Sequence, residues 1–273
     1  MGHLTVPTSR TAGAEAADSR WFRRFVAPSA TRRVFCIPYA GGSARIYRNW
    51  HDWLAPDVEV VAVEPPGRGV HLREEPLDDA DALVESLLVA VEPLLDVPFA
   101  FFGHSMGALV AFELSRRLVE RGRTPPVHLF VSAMRAPHLE PREPVLSVLS
   151  DEEFLAAIRA LEGTLPEVLE DRELLSIVLP VLRADFRLSE TYRCRGIVPL
   201  PLPITVFGGL QDERIFRADL EAWQRHTAQR CLIRLLPGNH FFIHEYEHLI
   251  AASVLASLAE PDAGPGAGAG HRA

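Results

Sequence analysis

Six short apolar runs, separated by longer stretches with helical spacing, constrain the architecture of this chain more than any other feature. They are Arg33–Pro38 (RVFCIP), Glu59–Glu64 (EVVAVE), Phe99–Gly103 (FAFFG), His128–Ser132 (HLFVS), Ile204–Gly208 (ITVFG) and Cys231–Leu236 (CLIRLL). β-Branched and aromatic residues fill most of them, and most stop at or beside Gly, Pro or Ser, which is the pattern of buried strands. Between them, Asp79–Leu95 and Met106–Arg121 repeat apolar residues at helical spacing, and Gly122 stands where a C-terminal cap belongs. Buried strands joined by helices imply an α/β fold, with a mostly parallel central sheet flanked by helices.

The rhythm breaks from about residue 138 to 196, where no strand pattern occurs. Ser150-Asp-Glu-Glu153 reads as a capping box opening a helix over Asp151–Leu161. A second helical stretch, Asp171–Tyr192, contains Pro180, which is expected to kink or divide it. So long a helical segment between two core strands exceeds an ordinary connection and is expected to form an inserted helical lid. One domain is expected over residues 31–260. Residues 1–30 read as a flexible extension without the apolar core of a signal peptide, and residues 261–273 (PDAGPGAGAGHRA) as a disordered Gly/Ala-rich tail.

A formal net charge of −8 argues against nucleic acid as a partner, since phosphate binding needs a basic footprint. No apolar run is long enough to span a membrane. The three cysteines, Cys36, Cys194 and Cys231, are too scattered for a disulfide framework. Cys36 and Cys231 sit in apolar runs and read as buried structural thiols, which fits a reducing, cytoplasmic setting. A monomer is the expected state.

Gly103-His104-Ser105-Met106-Gly107 lies between a predicted strand and a predicted helix. That context suits a nucleophile elbow, a sharp turn that leaves a serine projecting from the sheet edge. The alternative is an ordinary turn with a capping serine. His104 is too close in the chain to act as base on its neighbour's hydroxyl and is assigned to the site wall. A serine nucleophile needs a base, and the base needs an orienting acid. In α/β-hydrolases these follow in the order Ser, Asp or Glu, His. Asp212, just past the strand Ile204–Gly208, is the candidate acid, with Glu213 as alternative. His240, in the loop after Cys231–Leu236, is the candidate base, whereas His244 and His248 read as residues of the following helix. The oxyanion hole requires the amide after the nucleophile, Met106, and one from the first strand's loop, Pro38-Tyr-Ala-Gly-Gly-Ser43. Ala40 is the expected donor, with Tyr39 and Gly41 beside it.

Taken together, these motifs resemble the stand-alone type II thioesterases of polyketide and nonribosomal peptide assembly lines. The resemblance runs from about Arg33 to Leu258. It rests on PYAGGSA (38–44), Trp50 with Trp53, EPPGRG (64–69), GHSMGA (103–108), SAMRAPHL (132–139), LSDEEF (149–154), LPVLRADFRLSETYR (179–193), FGG (207–209) with Asp212, and PGNHFF (237–242). The family often has Gly-Gly-His where this chain has Gly238-Asn239-His240. The resemblance implies an α/β-hydrolase fold and hydrolysis of acyl groups from the phosphopantetheine arm of an acyl or peptidyl carrier protein. It implies Ser105, His240 and Asp212 as catalytic residues and Ala40 and Met106 as oxyanion donors. Neither a metal nor a redox cofactor is called for, and the phosphopantetheine belongs to the substrate. Phe186, Leu188 and Tyr192 are candidates either to line the acyl chamber or to pack the core. Arg135, Arg142, Arg159, Arg172, Arg183, Arg187, Arg193 and Arg195 in and around the lid could dock an acidic carrier, or could be paired locally. The competing functions are a chain-releasing thioesterase, a general carboxylesterase and a non-catalytic binding module.

Overall fold

The computed structural model describes residues 20–161 and 171–259. The expected tail at 261–273 and the first 19 residues of the expected extension fall outside them. The strands are β1 (Phe22–Phe25), β2 (Arg32–Ile37), β3 (Val58–Val63), β4 (Phe99–His104), β5 (His128–Ser132), β6 (Ile204–Gly209) and β7 (Cys231–Leu236). They form one sheet in the order β1-β3-β2-β4-β5-β6-β7. Every pairing is parallel except β1 with β3. β1 corrects the sequence expectation of a flexible extension to residue 30, because Phe22 pairs with Val63 and Phe25 with Val60.

Side-chain alternation explains why the sheet is covered on both faces. In β2 and β4, Phe35, Ile37, Phe99 and Phe101 face one apolar layer. Val34, Cys36, Ala100 and Phe102 face the other. The first layer packs under α2 (Ala80–Val91) and α3 (Met106–Glu120), and the second under α1 (Trp50–Leu54) and α7 (Glu247–Ala259). Cys36 is buried as expected, but Cys231 is only half-buried on the edge strand.

Between β5 and β6 lie α4 (Asp151–Ala160) and α5 (Arg172–Thr191). Ser150 and Glu153 form the expected capping box. α5 begins after Asp171, whose carboxylate accepts from the amides of Glu173 and Leu174. Pro180 does not divide α5, which runs on to Thr191. Proline removes an amide and crowds the carbonyl four residues earlier. Here Pro180 and Ser176 both lie on the exposed face, where water can serve that carbonyl. Phe154, Ile158 and Leu182 form a small core shared by the two helices. α6 (Arg217–Glu221) follows β6. No helix among the described residues is long and apolar enough to cross a membrane.

Two buried histidines make the fold sensitive to acid. His128 on β5 stacks on Phe130 and bonds the Thr205 hydroxyl at 2.9 Å. Burial pushes its pKa down to about 4. His226 is pushed down to about 4 by burial and by its neighbour His138. Both are neutral in the fold, while the unfolded chain binds their protons below about pH 6.5. Their contribution is therefore complete above pH 6.5 and is lost as pH falls toward the folded value. At about 1.4 kcal/mol per unit, each accounts for roughly 3 kcal/mol over that window. Melting curves from about pH 7 to pH 4 should show Tm falling by about 10 °C or more. A flat profile would mean that these imidazoles are not held neutral.

Candidate active site

The sheet order reverses between β2 and β4, because β3 lies on one side of β2 and β4 on the other. Such a switch point opens a crevice at the C-terminal ends of the strands. The loop after β2 and the turn after β4 both enter it. At that turn Ser105 adopts φ 53° and ψ −120°, a strained conformation for a residue with a side chain. Its amide donates to Ser132 O at 2.8 Å, and its carbonyl accepts from Ala108 at 2.9 Å. Its hydroxyl makes no cap bond to α3, so Ser105 is not an ordinary capping serine. The reversal depends on two glycines. A Cβ on Gly103 would lie 2.0 Å from Gly107 O, and one on Gly107 would lie 2.2 Å from Ile37 O.

Ser105 Oγ is 3.1 Å from His240 Nε2, and His240 Nδ1 is 2.8 Å from Asp212 Oδ2. A carboxylate only accepts, so Nδ1 carries the proton and Nε2 is left to accept from the serine hydroxyl. Asp212 Oδ1 accepts from the amides of Arg214 at 2.9 Å and Ile215 at 3.2 Å. Burial opposes ionisation of Asp212, but the His240 bond and these two amides outweigh it and hold the carboxyl below its usual range. Glu213, the alternative acid, is exposed.

His104 is not a wall residue. It is fully buried beneath the site, where its Nδ1 accepts from Ser132 Oγ at 2.9 Å and its Nε2 donates to His240 O at 3.0 Å. Burial pushes its pKa well down, so it stays neutral and braces the His240 loop. His244 ends a short 3-10 turn at Phe242–His244, and its Nε2 lies 2.9 Å from the Tyr39 hydroxyl. His248 lies on α7 against Trp53.

A cavity of about 690 Å³ opens from Ser105 beneath α5. That is room for a medium-sized organic group. Ala40, Met106, Tyr39, Phe186 and Tyr192 line it. Leu188 does not, because it is wholly buried in the core. Met106 opens α3, so its amide has no acceptor within the helix. The Tyr192 hydroxyl donates to Glu113 at 2.7 Å.

Among the described residues, each of these arginines has a local partner. Arg142 makes a two-pronged bond to Asp219, and Arg135 pairs with Glu143. Arg183 donates to Ser147 O, Leu149 O and Asp151, and lies over the Phe154 ring. Arg187 is 3.5 Å from Asp78, Arg195 pairs with Asp81, and Arg193 donates to Glu190 O. Arg159 is also engaged, and the Arg172 side chain lies outside the described residues.

Sequence reasoning missed a buried pair at the site, Arg68 with Asp185. Both stand in motifs quoted above, but nothing in the sequence signals that residues 117 positions apart meet.

Residues 32–258 match the family model described as a thioesterase domain. The chain is 40% identical over 231 residues to the gramicidin S biosynthesis protein GrsT of Aneurinibacillus migulanus, covering 84% of this chain and 90% of that protein. It is 39% identical over 249 residues to thioesterase PikA5 of Streptomyces venezuelae, covering 89% and 88% respectively. Among solved structures, the type II thioesterase BorB from the borrelidin biosynthetic cluster matches with a TM-score of 0.80 at 37% identity, over 87% of this chain and 97% of that one.

Proposed function

Because this chain belongs to the thioesterase family, we propose that it is a stand-alone editing enzyme that hydrolyses acyl groups from the phosphopantetheine arm of acyl or peptidyl carrier proteins in polyketide or nonribosomal peptide synthesis. The observation that carries this reading is the Ser105–His240–Asp212 relay at the mouth of a roofed cavity. Ser105 Oγ attacks the thioester carbonyl while His240 Nε2 takes its proton. The Ala40 and Met106 amides receive the oxyanion. The carbon–sulfur bond breaks, and the pantetheine sulfur leaves with the proton from His240. Water then gives a proton to His240 and attacks the acyl-serine. The ester bond breaks, Ser105 recovers its proton, and a carboxylic acid departs. These steps use only the chain's side chains, its amides and water. The free thiols are consistent with a cytoplasmic enzyme, and we take it to act as a monomer.

The test is hydrolysis of one short acyl group presented on a carrier protein, on coenzyme A and as a p-nitrophenyl ester. The carrier-bound thioester should be preferred by kcat/KM at least about tenfold, about 1.4 kcal/mol in the transition state, and across several short acyl groups. Equal or better turnover of the free ester would make the protein a general esterase. Strict preference for one long acyl chain would make it a chain-releasing enzyme.

A further inference from the structure

The loop that supplies Ala40 is held by the helical insertion rather than by the sheet alone. Tyr39–Gly42 is a tight turn, closed by the Gly42 amide donating to Tyr39 O at 2.8 Å. Gly41 has φ +78°, which suits the third residue of a type II turn. The Gly41 amide donates to Asp185 Oδ2 on α5 at 2.7 Å. The same oxygen accepts from Arg68 Nη1 at 2.8 Å, and Asp185 Oδ1 accepts from Arg68 Nη2 at 2.9 Å. Arg68 Nη1 also donates to Gly42 O at 3.0 Å. Two consecutive residues of the turn are thus gripped, one through its amide and one through its carbonyl, by a single ion pair. That pair is almost wholly buried, with Asp185 2% and Arg68 7% exposed. Leu182, one helical turn earlier on α5, sits so close that a Cβ on Gly41 would come within 2.5 Å of its Cδ2.

The geometry points to Asp185 as a positioning residue. Its carboxylate fixes the Tyr39–Gly42 turn, and with it the Ala40 amide, so that the oxyanion hole is complete only while α5 is seated on the loop. Asp185 touches neither substrate nor the reacting atoms in this role. The inference rests on the reading of Ala40 as an oxyanion donor. A backbone donor displaced by a fraction of an ångström stabilises the transition state less without weakening ground-state binding to match. A buried pair is also a poor choice for stability alone, since apolar residues of similar size often serve as well. Its geometric grip on the turn is a reason for having it here. Movement of α5 away from the sheet would withdraw the carboxylate from Gly41, so hydrolysis would be suppressed whenever the insertion opens.

The test separates positioning from stability. Arg68→Met/Asp185→Leu removes both charges and leaves neither stranded, and Asp185→Asn keeps the shape while abolishing the ion pair. Arg217→Gln alters an exposed pair with Glu221 on α6, outside the insertion, and serves as control. Three readouts are needed: kcat and KM on an acyl thioester, Tm, and the affinity for octylboronic acid, which forms a tetrahedral oxyanion mimic on a serine. The double variant should keep its Tm within a few degrees, lose about 10- to 100-fold in kcat with KM changed less than about threefold, and bind the boronic acid correspondingly more weakly. Asp185→Asn should follow the same pattern, and Arg217→Gln should match the wild type. Wild-type kcat and boronic acid affinity in either Asp185 variant would overturn the inference, as would a loss confined to KM. If the double variant does not fold, Asp185→Asn assayed below its own Tm decides. If the wild type ignores carrier thioesters, the proposed function fails alone, because boronic acid affinity still reads the hole.

Discussion

Ser105→Ala is expected to reduce kcat on an acyl thioester by at least about 10⁴-fold while leaving the fold intact. The serine oxygen is the only nucleophile that His240 Nε2 addresses, at 3.1 Å, and no other hydroxyl bonds that nitrogen among the described residues. His240→Ala should cost about as much. The Ser105→Ala/His240→Ala pair should be little worse than either single change, because the two groups act in one step. Asp212→Asn should lose about 10⁴-fold by a different route. An amide nitrogen turned toward Nδ1 would force the proton onto Nε2, where it would meet the serine hydroxyl as a donor. Single-turnover kinetics on matched protein preparations measure all of these. Retention of more than about a tenth of wild-type kcat in Ser105→Ala would show that the relay is not the reacting centre.

Gly107→Ala is expected to cost much of the fold's stability. The new methyl would lie 2.2 Å from Ile37 O and 2.6 Å from Pro38 O. Both are backbone atoms at the end of β2, so no side-chain rotation relieves the clash. Either α3 must lift from the sheet or β2 must shift, and both would tear the interface that carries Ser105 and Ala40. A loss above about 4 kcal/mol is expected, enough to prevent recovery of folded protein or to lower Tm by about 10 °C or more. Gly122→Ala is the contrast. It has a left-handed φ of +62° but nothing within 4 Å of the added Cβ, so only backbone strain of about 1 kcal/mol applies. If Gly107→Ala melts like Gly122→Ala, the close approach of α3 to β2 is wrong.

The sheet was legible because a strand buried on both faces writes itself as a continuous apolar run, as β2 to β6 nearly do, and the half-buried edge strand β7 keeps one broken only by Arg234. β1 was not, because Phe22-Arg-Arg-Phe25 is four residues long, half of them cationic, and covers an edge. That Ser105, His240 and Asp212 would meet could be expected, because each follows a strand and their order in the chain is informative. The depth of His104 could not. Adjacency to Ser105 rules out its acting as base, but only packing shows that the ring turns beneath the sheet edge to meet His240 O. The arginines left two readings open for a related reason. A count of cations records no partners, and Arg142 and Arg183 prove to be braces between segments. Arg68 and Asp185 are the extreme case, since a contact made across the site by a loop and a distant helix leaves no local periodicity.

The chain leaves the sheet at the end of β5 and rejoins it on the adjoining parallel strand, β6. An excursion that departs and returns between neighbours can change length or composition without altering strand order. Ser105, Asp212 and His240 sit on loops after β4, β6 and β7, whereas much of the cavity wall belongs to the excursion. Descendants of such a chain are free to diversify which acyl groups fit without relearning how to cleave them. Asp185 limits that freedom, because a replacement excursion that fills the same space but lacks this carboxylate would change the chamber and disarm the chemistry together.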